Sequence, residues 1–201
     1  RKPGPDPVAS AALTFGPWGA KFAELDVKLP LDGERFGMVA GIGIDRDRRP
    51  YGGTPNDFSA GALVRFAPRP DTELLGFAVY YRNSDNEAQP LIFTGGQFLP
   101  ARIRRGTFRG QGWNDYSATA PTYGVMARTS LAGFDIRFGA FRSAFYNDVS
   151  TADLLFGARR DGSVAQRNIV RERDDFYAST SGELRASRTL TEGPRQHMLM
   201  V

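Results

Sequence analysis

The 201-residue chain contains no cysteine, which excludes a disulfide framework, a thiolate zinc site and a cysteine nucleophile. Its one histidine, His197, lies near the end, leaving too few parts for most histidine-based hydrolase or metal chemistry. Lysine is scarce as well. Of the 26 basic residues 23 are arginine, and they are scattered rather than gathered into a run, so the net charge of +4 marks no nucleic-acid-binding stretch. No apolar run approaches the ~20 residues of a transmembrane helix. Helical periodicity is poor, and glycine interrupts the apolar segments, where a helix would suffer. No glycine-rich phosphate cradle, metal-ligand cluster or Ser/His/Asp set is present, so an enzyme is not expected. Gly37-Met38-Val39-Ala40-Gly41-Ile42-Gly43 is followed by no helix and is strand alternation.

What remains is period two. Ala23, Leu25, Val27, Leu29 and Leu31 alternate with Glu24, Asp26 and Lys28, so one face of a strand is apolar and the other charged. Phe36, Met38, Ala40, Ile42 and Ile44 alternate with Gly37, Gly41 and Gly43. Phe58 to Phe66 repeats the pattern, and Leu75, Phe77, Val79 and Tyr81 follow it. Tyr123, Val125, Ala127 and Leu131 stand against Gly124, Arg128 and Ser130. Phe134, Ile136, Phe138 and Ala140 stand against Asp135, Arg137 and Gly139. In 176–190, Ser179, Ser181, Glu183, Arg185 and Ser187 share a face. These segments predict strands of about 9 to 11 residues, the reach needed to cross a bilayer at a tilt.

The connections between the strands alternate in length. Leu31–Glu34, Ala67–Asp71, Ser130–Gly133 and Thr191–Arg195 are short and rich in Gly, Pro or Asp, whereas Asp45–Asp57, Asn83–Pro121 and Phe145–Asp175 are long. A soluble antiparallel sheet has no reason to place every long loop at one end. An outer-membrane barrel does, with short periplasmic turns and long external loops. The fold class expected is therefore all-β, an antiparallel transmembrane β-barrel, with the apolar face toward lipid. Aromatics near strand ends (Phe22, Phe36, Phe58, Phe66, Tyr81, Tyr123, Phe134, Tyr177) suit interfacial girdles. About nine strands are present when Ala9–Gly16 is counted as the first. Single-chain bacterial barrels use even numbers, so a fragment is expected.

The opening residues resemble a known family. Arg1-Lys2-Pro3, Gly4-Pro5-Asp6-Pro7 and the strand Ala9–Gly16 are similar to the plug-to-barrel junction of TonB-dependent siderophore receptors, where a basic-basic-Pro element ends the plug. Pro17-Trp18-Gly19-Ala20 resembles the first tight external loop, and Phe22–Val27 with Leu29-Pro30-Leu31 resembles the second strand and its turn. Pro90-Leu91, Gly95-Gly96, Phe98-Leu99-Pro100, Ile103, Arg105 and Phe108–Trp113 match the family's long-loop style. The resemblance implies that residues 1–8 end the plug or its linker. Residues 9–201 would then be the N-terminal part of a plugged barrel of roughly 22 strands. It implies import of a ferric siderophore, with the iron carried as a transported complex and no resident cofactor. The implied partners are the TonB–ExbB–ExbD system, reached through an N-terminal region absent from these residues, and outer-membrane lipid and lipopolysaccharide, with no nucleic acid. The alternative is a passive porin or substrate-specific channel, which would lack a plug.

A ferric siderophore is bulky, often anionic and partly aromatic, so its pocket wants arginine forks and ring faces. The long loop offers Arg102, Arg104, Arg105 and Arg109 among Phe93, Phe98, Phe108, Trp113 and Tyr116, and Arg48 and Tyr51 lie in the preceding long loop. Most of these arginines are expected to be solvated or paired to lipopolysaccharide phosphates, and the aromatics to form the loop's own mini-core. Asp45-Arg46-Asp47-Arg48-Arg49 suits local salt bridges. The mixed charges Arg159-Arg160-Asp161 and Arg171–Asp175 suit pairing between loops, and Glu24, Asp26, Lys28, Arg65, Arg128, Arg137, Glu183 and Arg185 suit a hydrated lumen wall or contacts to the plug.

Overall fold

The computed structural model describes residues 6–33, 35–99, 104–192 and 195–200. The strands are β1 (Val8–Phe15), β2 (Lys21–Asp32), β3 (Phe36–Arg46), β4 (Asn56–Arg69), β5 (Thr72–Ser84), β6 (Leu91–Thr94), β7 (Tyr116–Leu131), β8 (Phe134–Ala158), β9 (Gln166–Glu192) and β10 (Arg195–Met200). Nine of them form an antiparallel meander in chain order, and β6 stands off that path, parallel to β8. The all-β expectation and the count of about nine consecutive strands hold. β1 starts at Val8, inside the expected 1–8 linker, whose residues 1–5 lie outside the described residues.

Local chemistry fixes the tight turns. Ala132 and Gly133, with φ of 51° and 78°, join β7 to β8 in the two-residue geometry whose twist matches the flanking strands. Pro70 and Asp71 join β4 to β5, and the Gly33 turn closes with Arg35 N–H donating to Asp32 O at 2.9 Å. At the opposite end β1 and β2 are joined by Pro17–Gly19, a short 3-10 turn in which Trp18 takes φ 58°.

The sheet is a single layer, and among the described residues the buried apolar side chains are few: Pro55, Ala118, Ala144 and Ala158. Its curvature opens a trough of ≈ 560 Å³ on one face, lined by Glu24, Asp26, Gly41, Gly43, Ser59 and Phe77 among others. The convex face is apolar. Phe36, Phe66, Leu74, Ala127, Phe138 and Leu184 form one transverse row by register. Ile44, Phe58, Arg82, Thr119, Tyr146 and Phe176 form a second row. The two rows lie roughly 26 Å apart along the strands. Phe58 meets Tyr80 edge-on at 6.1 Å, and Tyr146 leans on Phe176 at 4.8 Å.

Register corrects several expectations. Val79 pairs with Gly61 and Tyr81 with Ser59, so Leu75, Phe77, Val79 and Tyr81 share the concave face; Leu74, Ala78 and Tyr80 are the convex set. Both faces of β5 are apolar, so local alternation could not fix its phase. Phe22 and Tyr177 are likewise concave, one sharing a face with Glu24, the other lying opposite Phe145 on the face of Ser179, and neither joins the convex aromatics.

Strand length is the second correction. The expected long connection 145–175 is mostly ladder: β8 and β9 are 25 and 27 residues long, and only residues 159–165 join them. β7 stops pairing at Tyr116–Ser150, so the β8–β9 hairpin runs on beyond the sheet. At its root a bulge sits between Ser117 and Ala118 opposite Asn147–Val149, and Asp174 takes φ 58°. Beyond the root polar and apolar residues mix on both faces, which erases the apolar alternation without ending the ladder. β6 then pairs with Leu154–Ala158, taking the edge that β7 leaves free.

Toward the short-turn end the concave wall pairs several of its own charges. Glu73, only 4% exposed, accepts from Arg65 Nε at 2.6 Å and Arg128 Nε at 3.2 Å. Arg137 pairs with Asp135 at 3.0 Å, and Arg185 pairs with Glu183. His197 stands exposed on β10 opposite Leu190.

Candidate functional site

All the longer connections gather at one end of the sheet and are knit into a crown. In the β3–β4 connection, Asp47 N–H donates to Pro55 O and Arg49 N–H to Gly53 O, making a tight ladder-like loop. The β5–β7 connection packs onto it. Gly106 N–H donates to Pro50 O at 2.6 Å, Gln89 Nε2 to Tyr51 O at 3.1 Å, and Thr54 N–H to Glu87 Oε2 at 3.0 Å. Gly52 (φ 92°) lies so close that a Cβ there would be 2.6 Å from Phe108 N. Only glycine suits both the conformation and the space.

Below this junction Asn114, fully buried, clamps the returning chain. Its Nδ2 donates to Ala88 O at 2.8 Å, and its own carbonyl accepts from Ala88 N–H at 2.8 Å. Thr151 N–H of β8 donates to Asp115 O at 3.1 Å, which ties the loop to the hairpin extension. Burial pushes the Asp115 carboxyl above its ordinary range, the Tyr116 N–H pulls it down, and Asp85 and Glu87 add to the rise. On the extension, Arg167 grips the buried Asp153 with two hydrogen bonds, and the Trp113 ring lies 5.5 Å from its guanidinium.

Above these contacts the loop, β6 and the hairpin tip enclose a cavity of ≈ 750 Å³. Ile92, Leu155 and Val164 give it an apolar wall, and Phe98 lines it together with three arginines, Arg109, Arg159 and Arg160. Arg160 lies 5.5 Å from the Phe98 ring centroid. Asp161 faces its own turn instead. Its Oδ1 accepts the Ser163 N–H at 3.0 Å and hydroxyl at 2.7 Å, which holds its carboxyl below the usual range.

Of the residues picked out by sequence, Phe98 and Arg109 line this cavity. Phe93 stacks flat on Phe156 at 4.7 Å, Trp113 serves the Arg167–Asp153 pair, and Tyr116 begins β7 opposite Ser150. Arg104 and Arg105 stand exposed on the turn closed by Thr107 N–H to Arg104 O. Arg48 is exposed with its N–H on Asp47 Oδ1, and the Tyr51 ring packs under Gly53. Arg102 lies outside the described residues. The arginines that join Arg109 are Arg159 and Arg160, expected from sequence to pair between loops. The local signal was their lone neighbouring carboxylate, already committed within a Asp-Gly-Ser turn. Arg49–Asp47 at 3.1 Å is a local salt bridge of the expected kind. Among the described residues no three carboxylate or imidazole groups cluster in a way that could hold a metal.

No protein-family model and no curated protein sequence matches the chain. Solved structures do match in shape. The ferripyoverdine receptor of the Pseudomonas aeruginosa outer membrane, bound to ferripyoverdine, superposes over 100% of this chain with a TM-score of 0.77 and 18% identity. A complex of FpvAI with pyocin S2 matches at 0.76 and 18% over 100% of the chain. The ferric-catecholate import receptor Fiu of E. coli K12 matches at 0.69 and 15% over 96%. The chain spans only 27%, 28% and 30% of those three chains. The 201 residues therefore carry the barrel fold of these outer-membrane receptors over a consecutive stretch, as the resemblance read from the sequence implied.

Proposed function

We propose that the chain is part of the barrel of a TonB-dependent outer-membrane receptor that binds a ferric siderophore at its external loops and imports it. The observation that carries this reading is the crown: the longer connections stand at one end of a curved single-layer sheet, and the β5–β7 connection and the β8–β9 tip line a cavity that includes three arginines. The match over the full chain to a receptor bound to ferripyoverdine supports it.

An outer-membrane location fits the convex face. Leu25, Ile44, Phe66, Leu74, Tyr123 and Leu184 are all exposed there, far more apolar surface than water tolerates on a monomer. Lipid would cover it, with the two transverse rows near the band's edges. At the loop end of that face Lys21, Arg46 and Arg82 share the convex side without a carboxylate partner among the described residues, a charge pattern that suits lipopolysaccharide phosphates. The concave charges would line the lumen. Coupling to TonB–ExbB–ExbD rests on the family alone.

The test is uptake of radiolabelled iron by iron-starved cells carrying or lacking the gene. Uptake of a ferric siderophore that requires both this gene and TonB is the expected result. Flux that persists without TonB would turn the reading into a passive channel, and no gene-dependent flux of any iron chelate would end it.

A further inference from the structure

We infer that the cavity at the tip of the β8–β9 hairpin selects by charge, accepting ferric chelates of net negative charge on an apolar or aromatic frame and excluding neutral ones. The inference rests on the reading above that the protein receives iron chelates. Three arginines, Arg109 from the β5–β7 connection and Arg159 and Arg160 from the hairpin turn, line one cavity. None of them forms an ion pair among the described residues. The carboxylate closest in sequence, Asp161, is held by Ser163. Positive charge gathered around a concavity in excess of the one neighbouring carboxylate focuses the field and draws anions in. Guanidinium forks match paired oxygens, as in a catecholate or a hydroxycarboxylate.

The remaining wall sets the body of the ligand. Ile92, Leu155 and Val164 are apolar, and Phe98 presents a ring already engaged by Arg160. A space of ≈ 750 Å³ holds a compact chelate rather than a bare ion. A neutral chelate entering it would strip water from three arginines and return no charge to any of them, which is unfavourable.

The experiment uses the complete gene product in detergent and two probes, a ferric tris-catecholate, which is a trianion, and a neutral ferric tris-hydroxamate. Binding is read by quenching of tryptophan fluorescence. The catecholate is expected to bind about a hundredfold more tightly, with an affinity that falls as salt rises. Each of Arg109→Gln, Arg159→Gln and Arg160→Gln should weaken it about tenfold and leave the hydroxamate unchanged. Equal affinity for both probes, or catecholate binding indifferent to the triple glutamine variant, overturns the inference while the receptor reading stands. Binding of neither probe, together with no gene-dependent iron uptake, overturns both.

Discussion

Arg167 donates from Nε and Nη2 to the two carboxylate oxygens of Asp153, at 2.8 and 2.7 Å, and so locks β9 to β8 well beyond the point where β7 stops pairing. Asp153 is 3% exposed, and the Trp113 ring covers the guanidinium. A bidentate pair with one partner buried fixes geometry as well as charge. Arg167→Ala leaves the Asp153 carboxylate buried and unpaired, so amide exchange at Leu154 and Ile169 should speed up while β2 to β5 stay protected. Adding Asp153→Asn should restore part of the protection, because the orphaned charge is gone. Unchanged exchange in the single variant would show that the pair does not hold the hairpin.

Gly52 is the second test of the crown. Its φ of 92° and the 2.6 Å approach to Phe108 N admit no side chain without movement of the backbone. Gly52→Ala should cost roughly 1–3 kcal/mol at the loop junction. Limited proteolysis near residues 104–110 should accelerate, and the melting of the sheet should stay where it is.

The triad on the concave wall makes a third. Glu73 neutralises Arg65 and Arg128 at once from a nearly buried position. Glu73→Ala leaves two arginines crowded over a lost carboxylate and should destabilise the folded protein by about 2–4 kcal/mol in denaturant titrations. Glu73→Gln, which keeps the shape, should cost less.

The phase of β5 separates lipid-facing from lumen-facing side chains. Leu74, 46% exposed, belongs to the convex row, and Leu75 lines a concave pocket beside Glu73 and Arg128. Leu74→Arg should impair insertion into bilayers by up to about 1 kcal/mol, as arginine does on a lipid-facing barrel surface near the interface. Leu75→Arg should insert normally. The opposite ranking would mean that the two faces have been exchanged.

Asp115 gives the crown a pH dependence of defined sign. Its carboxyl is raised by burial first, so folding favours the protonated form. The contribution is greatest at pH below the ordinary carboxylate value, and it is lost as pH rises through the raised one. Amide exchange in the Asn114–Tyr116 region should therefore accelerate as pH climbs across that window, beyond the intrinsic pH effect. Asp115→Asn should flatten the excess.

Much of this architecture can be read from residue order. In β2 to β4 the alternation of Leu25 with Asp26 or Ile42 with Gly43 fixes both strand and face, because only one side is apolar. β5 shows where that stops: Leu74 and Leu75, or Tyr80 and Tyr81, are equally apolar neighbours, and only pairing with β4 decides between them. The hairpin extension was hidden for the opposite reason. Thr151, Asp153, Arg167 and Arg171 are polar, yet the backbone ladder continues through them. The cavity joins Arg109 to Arg159 and Arg160 through the parallel pairing of β6 with β8, a long-range contact with no local periodicity. Phe98 and Arg109 were visible as chemistry, whereas their neighbours depended on topology.

The two-stranded extension behaves like a graduated arm. Lengthening both strands by two residues would raise Arg159 and Arg160 by about 7 Å and keep them on the same side, whereas a single-residue change would turn them away. The height of the recognition surface over the sheet can therefore drift between relatives in paired steps, without disturbing the rest of the barrel wall. Because Asp174 and the bulge opposite it mark the foot of the arm, such changes above them leave the register below untouched.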